Sequence, residues 1–309
     1  MIKQKNLYMA NFNCTFGEEN NPFLHYFEEI VRPAFFGGYE QATSKNTYFF
    51  HDVKLLQYKP EKYAISGIVV KKTQLEVKSL IDDETGNIIK KDDKIPSDPF
   101  SYFILFLENH RMVLVKNQSG SPNLKNFESL ARHNLKEASI DYCRDIKTAI
   151  SVNLNVGSLP SEQRVDEELD KLAVINQMVL KLYPLNGDID NVYGGLREEL
   201  AKLGSPEGYS VTKSPKNMKN VKETLIEGKG MFTATLKGRG INGEKISINN
   251  DSVAATIPIY IDEDGSINEN ISTVLHEAEQ REELKEISED NKNIYVRFLD
   301  KMKERFRHR

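Results

Sequence analysis

The apolar positions of this chain change period along its length. Residues 101–116, SYFILFLENHRMVLVK, form two nearly continuous apolar runs around Glu108-Asn109-His110, which predicts two strands joined by a tight turn. Strand-like runs precede them at 7–12, 47–58 and 63–70, and 75–81 alternates apolar with polar residues. Glu84-Thr85-Gly86-Asn87 reads as a turn, with Ile88 and Ile89 returning as a strand. Early in the chain, Asn21-Pro22 opens a helical period at Phe23, Tyr26, Phe27 and Ile30, and Gly37-Gly38 closes it. From Pro122 onward helical spacing takes over: Leu124, Phe127, Leu130, Ala131 and Leu135 share one face. Pro160 starts another helix, 173–183 reads as a strand, and 191–203 as a helix ending at Gly204. Strands at 231–237, 246–249 and 253–261 and a helical stretch from 271 complete the order.

This order predicts an α+β protein. It has an N-terminal twisted antiparallel sheet with packed helices (1–145), a mixed α/β region with a Gly/Lys-rich strand segment (146–265), and a C-terminal helical segment (266–309). A length of 309 residues suits more than one core. Hydrophobic residues at 39% and charged residues at 28% fit a globular protein, and no run approaches the roughly 20 apolar residues of a membrane helix. Cys14 and Cys143 are too few for a disulfide framework and neither sits in a CxxC pair; with no signal-peptide pattern at the start, a cytoplasmic protein is expected.

Charge changes that picture locally. The net charge of −4 argues against a globally basic nucleic-acid binder but leaves room for a basic face. Segment 205–245 carries Lys213, Lys216, Lys219, Lys222, Lys229, Lys237, Arg239 and Lys245 against four glutamates, a local +4. Gly228-Lys229-Gly230 and Gly238-Arg239-Gly240 flank its strand and read as turns. No helix follows either cluster, so neither resembles a phosphate loop. The C-terminal helix is acidic over 277–290 and basic over 297–309, with Tyr295, Leu299, Met302 and Phe306 as an apolar stripe. Such a stripe docks on its own domain or, with Arg305 and Arg307 beside it, on a partner or a second copy.

Candidate chemistry is sparse. Glu76-x-Lys78 on a strand, with Asp52 on an earlier one, matches the residue types with which a nuclease holds Mg²⁺ and orients water. A solvated strand face explains the same spacing. The six histidines form no helical metal pair, and no zinc motif or nucleophile elbow is present. His110 sits in a turn, where a polar side chain is expected. Cys143 reads as a buried structural thiol, and Asp262-Glu263-Asp264-Gly265 as a turn and helix cap rather than a calcium loop.

The succession DPFSYFILFLENHRMVLV, SGSPNLKNFESL and INQMVLKLYPLNGDID, followed by a Gly-rich basic strand, resembles an uncharacterised bacterial family found among anti-phage and abortive-infection genes. The resemblance covers residues 45–250. Where the family pattern has Pro-Asn-x-Asp, this chain has Leu185-Asn186-Gly187-Asp188. The family brings no assigned active site. The expectation is therefore a non-catalytic recognition or assembly subunit of a defence-type system. It contacts nucleic acid or a partner protein and needs no cofactor. The alternative is an Mg²⁺-dependent nuclease built on Asp52, Glu76 and Lys78.

Overall fold

The computed structural model describes residues 1–146, 149–187 and 193–307, without the side chains at positions 91, 145, 146 and 304–307. Eight strands come first: β1 (Ile2–Phe16), β2 (Asn21–Pro22), β3 (Glu40–Ala42), β4 (Thr47–Lys59), β5 (Lys62–Ile81), β6 (Ile88–Ser97), β7 (Phe100–Phe106) and β8 (Arg111–Lys116). Helix α1 (Arg32–Phe36) lies between β2 and β3. Next are α2 (Leu124–Ile146), β9 (Val152–Ser158), α3 (Glu162–Leu169), β10 (Val174–Leu182), α4 (Gly194–Lys202) and β11 (Gly208–Lys213). Then follow α5 (Met218–Glu227), β12 (Thr233–Arg239), β13 (Lys245–Asn249), β14 (Thr256–Asp262), α6 (Ile267–Glu279) and α7 (Glu289–Arg307). The fold is α+β, as the order of periods predicts.

A large antiparallel sheet runs β14-β1-β8-β7-β5-β4-β3, with β9 and β2 also pairing β1 and β6 pairing β5. Its central strands read as continuous apolar runs because both faces are covered. Phe103 and Leu105 face one core together with Phe12, Leu114 and, from α2, Phe127 and Leu130. Tyr102, Ile104 and Phe106 face the other, with Met9, Val113, Ile259 and, from α6, Ile271 and Val274. The Phe103 and Phe127 rings lie 5.1 Å apart. Alternation along a strand sends successive side chains to opposite faces. A strand sandwiched between two helical layers must therefore be apolar at every position.

A second sheet, β11-β10-β12-β13, is also antiparallel. Only one of its faces is covered: Val165 and Leu169 of α3 and Val221 and Leu225 of α5 pack on Met178, Leu180, Leu236 and Ile248.

The boundaries expected near 146 and 266 do not follow the packing. β9 and β14 both join β1, in the register Asn13↔Asn155 and Lys5↔Ile259, so later segments complete the first sheet. The C-terminal helix docks on its own chain. Tyr295, Phe298 and Leu299 are buried in the first core and Met302 packs against it. The Tyr295 hydroxyl donates to the Glu61 carbonyl at 2.9 Å and accepts from the Tyr63 N–H at 3.0 Å. Tyr295 and Leu299 therefore have no surface left for a partner; Arg305, Phe306 and Arg307 lie outside the described side chains.

The β7–β8 turn also departs from the expectation of an exposed polar turn. His110 is buried at φ 56°, edge-on to Phe23 with ring centroids 5.9 Å apart. Burial, reinforced by the Arg111 charge, pushes its imidazole down to about 3. Asn109 donates to the carbonyls of Leu284 and Glu286 at 2.7 and 3.1 Å. Beside this turn the two sheets meet. A Cβ at Gly230 (φ +76°) would lie 2.5 Å from the Gly157 carbonyl, and the Tyr183 hydroxyl donates to the Gly230 carbonyl at 2.9 Å. Gly228-Lys229-Gly230 is therefore a packed junction, with Gly228 capping α5, and not an exposed turn.

Candidate nucleic-acid interface

Register shows which of the eight basic residues share a face. Gln177 of β10 pairs with Lys213 on one side and Lys237 on the other, and Lys237 pairs with Ser247. In the next row, Arg239 pairs with Val174 and with Lys245. Residues directly opposite across a sheet share a face. Lys213, Lys237, Arg239 and Lys245 thus stand on the uncovered face of the small sheet. With strands about 4.8 Å apart, Lys213 and Lys237 are about 10 Å from each other and Arg239 is adjacent to Lys245. None of these four makes an ion pair among the described residues.

The local sequence explains the split. Ile175, Met178, Leu180 and Leu182 of β10 point inward; Val174, Gln177, Val179 and Lys181 do not. The register shift between Ile175 and Gln177 leaves Asn176 unmatched and keeps both ends of the strand in phase with the core. β12 alternates in the same way, with Ala234, Leu236 and Gly238 inward and Lys237 and Arg239 outward. A Cβ on Gly238 would meet the Val174 carbonyl at 2.3 Å, so the strands approach too closely there for any other residue.

At the far end of the face, Lys181 and Tyr209 are opposite each other. The Tyr209 ring is 61% exposed. Its hydroxyl donates to Glu207 at 2.9 Å, and the same carboxylate pairs with Lys181. Those two contacts, Lys181 first, hold the Glu207 carboxyl below its ordinary range. The Tyr209 phenol is raised because it donates to that anion. The face therefore offers a fixed aromatic ring at one end, four cations across the remaining rows, and Val174, Val179, Val211, Thr235 and Asn249 between them. Among the described residues its only acid contact is Glu207; Glu244 is folded into the β12–β13 turn, accepting from the Asn242 N–H at 3.1 Å.

The other four basic residues go elsewhere, because the segment 205–245 contains a helix. Asn217 caps α5 by accepting from the Asn220 N–H at 3.2 Å, and Val221 and Leu225 sink into the covered face. Lys222 then bridges to Glu162 and Asp166 of α3 at 2.9 and 2.8 Å, and those partners raise its pKa. Lys219 pairs with Glu223 at 3.6 Å along α5, Lys229 pairs with Glu286 at 2.6 Å, and Lys216 lies in the loop before α5. Sequence reading did not find α5, although the Asn cap and the i, i+4 pair Val221–Leu225 are its signal. It also missed Lys181 and Tyr209, whose alternation with Leu180 and Ser210 marks the same face.

The nuclease trio is not assembled. Asp52 lies at an irregularity in β4 with φ 49° and pairs with Lys54 at 3.0 Å. The β4–β5 register resumes at Lys54↔Ser66, which places Asp52 near the middle of β5. Glu76 and Lys78 are about nine residues further along that strand, on the order of 30 Å at ~3.3 Å per residue. They pair with each other at 3.6 Å on an exposed surface. No group of three or more His, Cys, Asp or Glu able to hold a metal occurs among the described residues. Cys14 is buried and its thiol is pushed well above the ordinary range, whereas Cys143 is half-buried on α2, its sulfur 3.9 Å from the Ser139 hydroxyl. Among the described residues no helix is long and apolar enough to cross a membrane.

Compared with known proteins, the chain matches no family model and no curated protein. The resemblance to the defence family therefore stands on the quoted segments alone.

Proposed function

We propose that the protein is a recognition module that binds single-stranded nucleic acid on the open face of the small sheet. The observation that carries this reading is the alignment of Lys213, Lys237, Arg239 and Lys245 on one uncovered face with an exposed Tyr209 at its end. A strand of nucleic acid presents phosphates to cations and bases to an aromatic ring, and a sheet platform can meet both together. A flat four-stranded face does not enter the major groove, which admits a helix or a two-stranded ribbon. Splayed bases reach such a face; paired ones do not. The reading is one of recognition: Asp52 stands on the order of 30 Å along β5 from the Glu76–Lys78 pair, so these three do not form a common centre.

The test is a fluorescence-anisotropy titration with a labelled oligonucleotide of about 16 nucleotides, single-stranded and as a duplex. Single strands bind more tightly than duplex. Affinity falls between about 50 and 200 mM salt with a log–log slope of about −3, from four cations at ~0.7 each. Absence of binding at the lower salt, or binding without a salt slope, contradicts the proposal.

A further inference from the structure

The β5–β6 hairpin runs past the sheet edges that flank it. β4 pairs with β5 only as far as Lys72, and β7 only as far as Val70, so residues 73–81 and 88–97 form a two-stranded arm. An isolated two-stranded ribbon is marginally stable in water. This one also exposes Leu75 (55%), Ile81 (70%), Ile88 (74%) and Ile95 (52%). Register puts them on one face. The rows Leu75–Ile95, Val77–Asp93, Ser79–Lys90 and Ile81–Ile88 alternate with rows of the opposite face, Glu76–Lys94 and the exposed Leu80–Ile89, so the first face carries the two aliphatic rows that flank a charged pair. The shift between Val77 and Ser79 lies in β6, so Asp93 and Lys90 fall on the same side as the aliphatic residues.

That face is complementary to itself. A two-fold axis between the Val77–Asp93 and Ser79–Lys90 rows lays Leu75 and Ile95 over Ile81 and Ile88 of a second copy. The same operation sets Lys90 against Asp93 of the second copy, twice. Each charge then meets its opposite and each aliphatic row another aliphatic row. The arm is acidic at its tip, where Asp82, Asp83 and Glu84 lie, and those charges fall outside the overlapped rows.

We infer that the arms of two copies of this chain pack face to face and antiparallel, forming a dimer whose specificity comes from the Lys90–Asp93 pairs. Asp93 also has a contact within its own chain, so the intermolecular pair adds a second partner to it. The overlapped patch, from the Leu75 row to the Ile81 row, is about 20 Å by 10 Å per copy, estimated from strand rise and spacing. Two such patches bury less than the ~1,200 Å² typical of stable complexes, so the dimer is of the transient class. Paired arms would bring two nucleic-acid faces into one assembly, but the dimer does not depend on those faces binding anything.

Sedimentation velocity across a wide concentration range tests this, using the full chain. Wild type shows a reversible monomer–dimer equilibrium. Lys90→Asp and Asp93→Lys each place like charges face to face and weaken the dimer by at least about 10-fold. An equimolar mixture of the two single variants restores it, because every cross-copy contact in the mixed dimer again joins an acid to a base. The double variant K90D/D93K restores it as well. Leu75→Ser weakens it without changing the fold by circular dichroism. A wild type that stays monomeric overturns the inference, leaving the apolar face to a different partner. A dimer indifferent to both single charge reversals, or one that the mixture fails to restore, overturns it too.

Discussion

The central strands of the large sheet are covered on both faces and the small sheet on one, and charge follows that difference. In β7 every residue from Ser101 to Phe106 is buried, so its composition is set by packing on both sides. In β12 burial alternates: Thr233, Lys237 and Arg239 are exposed and Thr235 is half-buried, while Ala234, Leu236 and Gly238 are buried. A protein has little reason to gather unpaired cations on an open sheet except to meet an anion, since like charges in adjacent rows repel. Under the proposed function, the large sheet is structural and the small one presents a binding face.

The largest expected effect breaks the structural side. Phe103→Ala removes a ring in contact with Phe35, Phe50 and Phe127, and should cost about 3–5 kcal/mol in denaturant unfolding. The presenting side should behave in the opposite way. Replacing Lys213, Lys237, Arg239 and Lys245 together by Gln should weaken oligonucleotide binding by about 100-fold, some 2.7 kcal/mol, with an unchanged or slightly higher melting temperature.

Next comes the junction between the sheets. Buried His110 takes up a proton near pH 3 when folded, whereas in the unfolded chain it does so near 6.5. Below 6.5 the unfolded state binds a proton that the folded state refuses, so stability falls as pH drops through this window. The His110 share is about 2–3 kcal/mol between pH 7 and 4.5. His110→Asn, which tolerates the positive φ, should flatten that part of the pH profile in urea titrations.

Tyr209→Ala should cost binding about 1–3 kcal/mol while leaving stability nearly untouched. The smallest effect sharpens the contrast. Val211→Thr, on the open face, should stay within about 0.5 kcal/mol in stability, although a comparable change at Ile104 would not. A large loss at Val211 would mean that something covers the face.

Much of the large sheet was legible because its signal is local. The 101–116 hairpin and the turn before α6 each announce themselves within a few residues, whereas the cap expected from Asn21 does not form: Asn21 and Pro22 pair with β1, and the Phe23 N–H donates to Asn186 instead. The small sheet was less so. Its strands could be read one at a time, but which basic residues share a face depends on pairing between β10, β11 and β12, as between Gln177 and Lys237 or Val174 and Arg239, which are far apart in sequence. The helix α5 was hidden by the lysines around it, and with it the reason that Lys219 and Lys222 turn away. His110 looked like an ordinary turn residue because nothing in the sequence shows that the turn is covered by the segment following α6 and by Phe23. The Tyr295 and Leu299 stripe was visible, but periodicity alone does not say whether a stripe meets its own core or another chain.

Methyl-resolved NMR with valine labelling tests the central claim most directly, because Val174, Val179 and Val211 lie on the open face and Val113 and Val115 in the large sheet. On titration with a single-stranded oligonucleotide, the account predicts salt-sensitive shifts at the first three and none at the last two. Shifts that leave Val174, Val179 and Val211 unmoved while binding is saturated would contradict it.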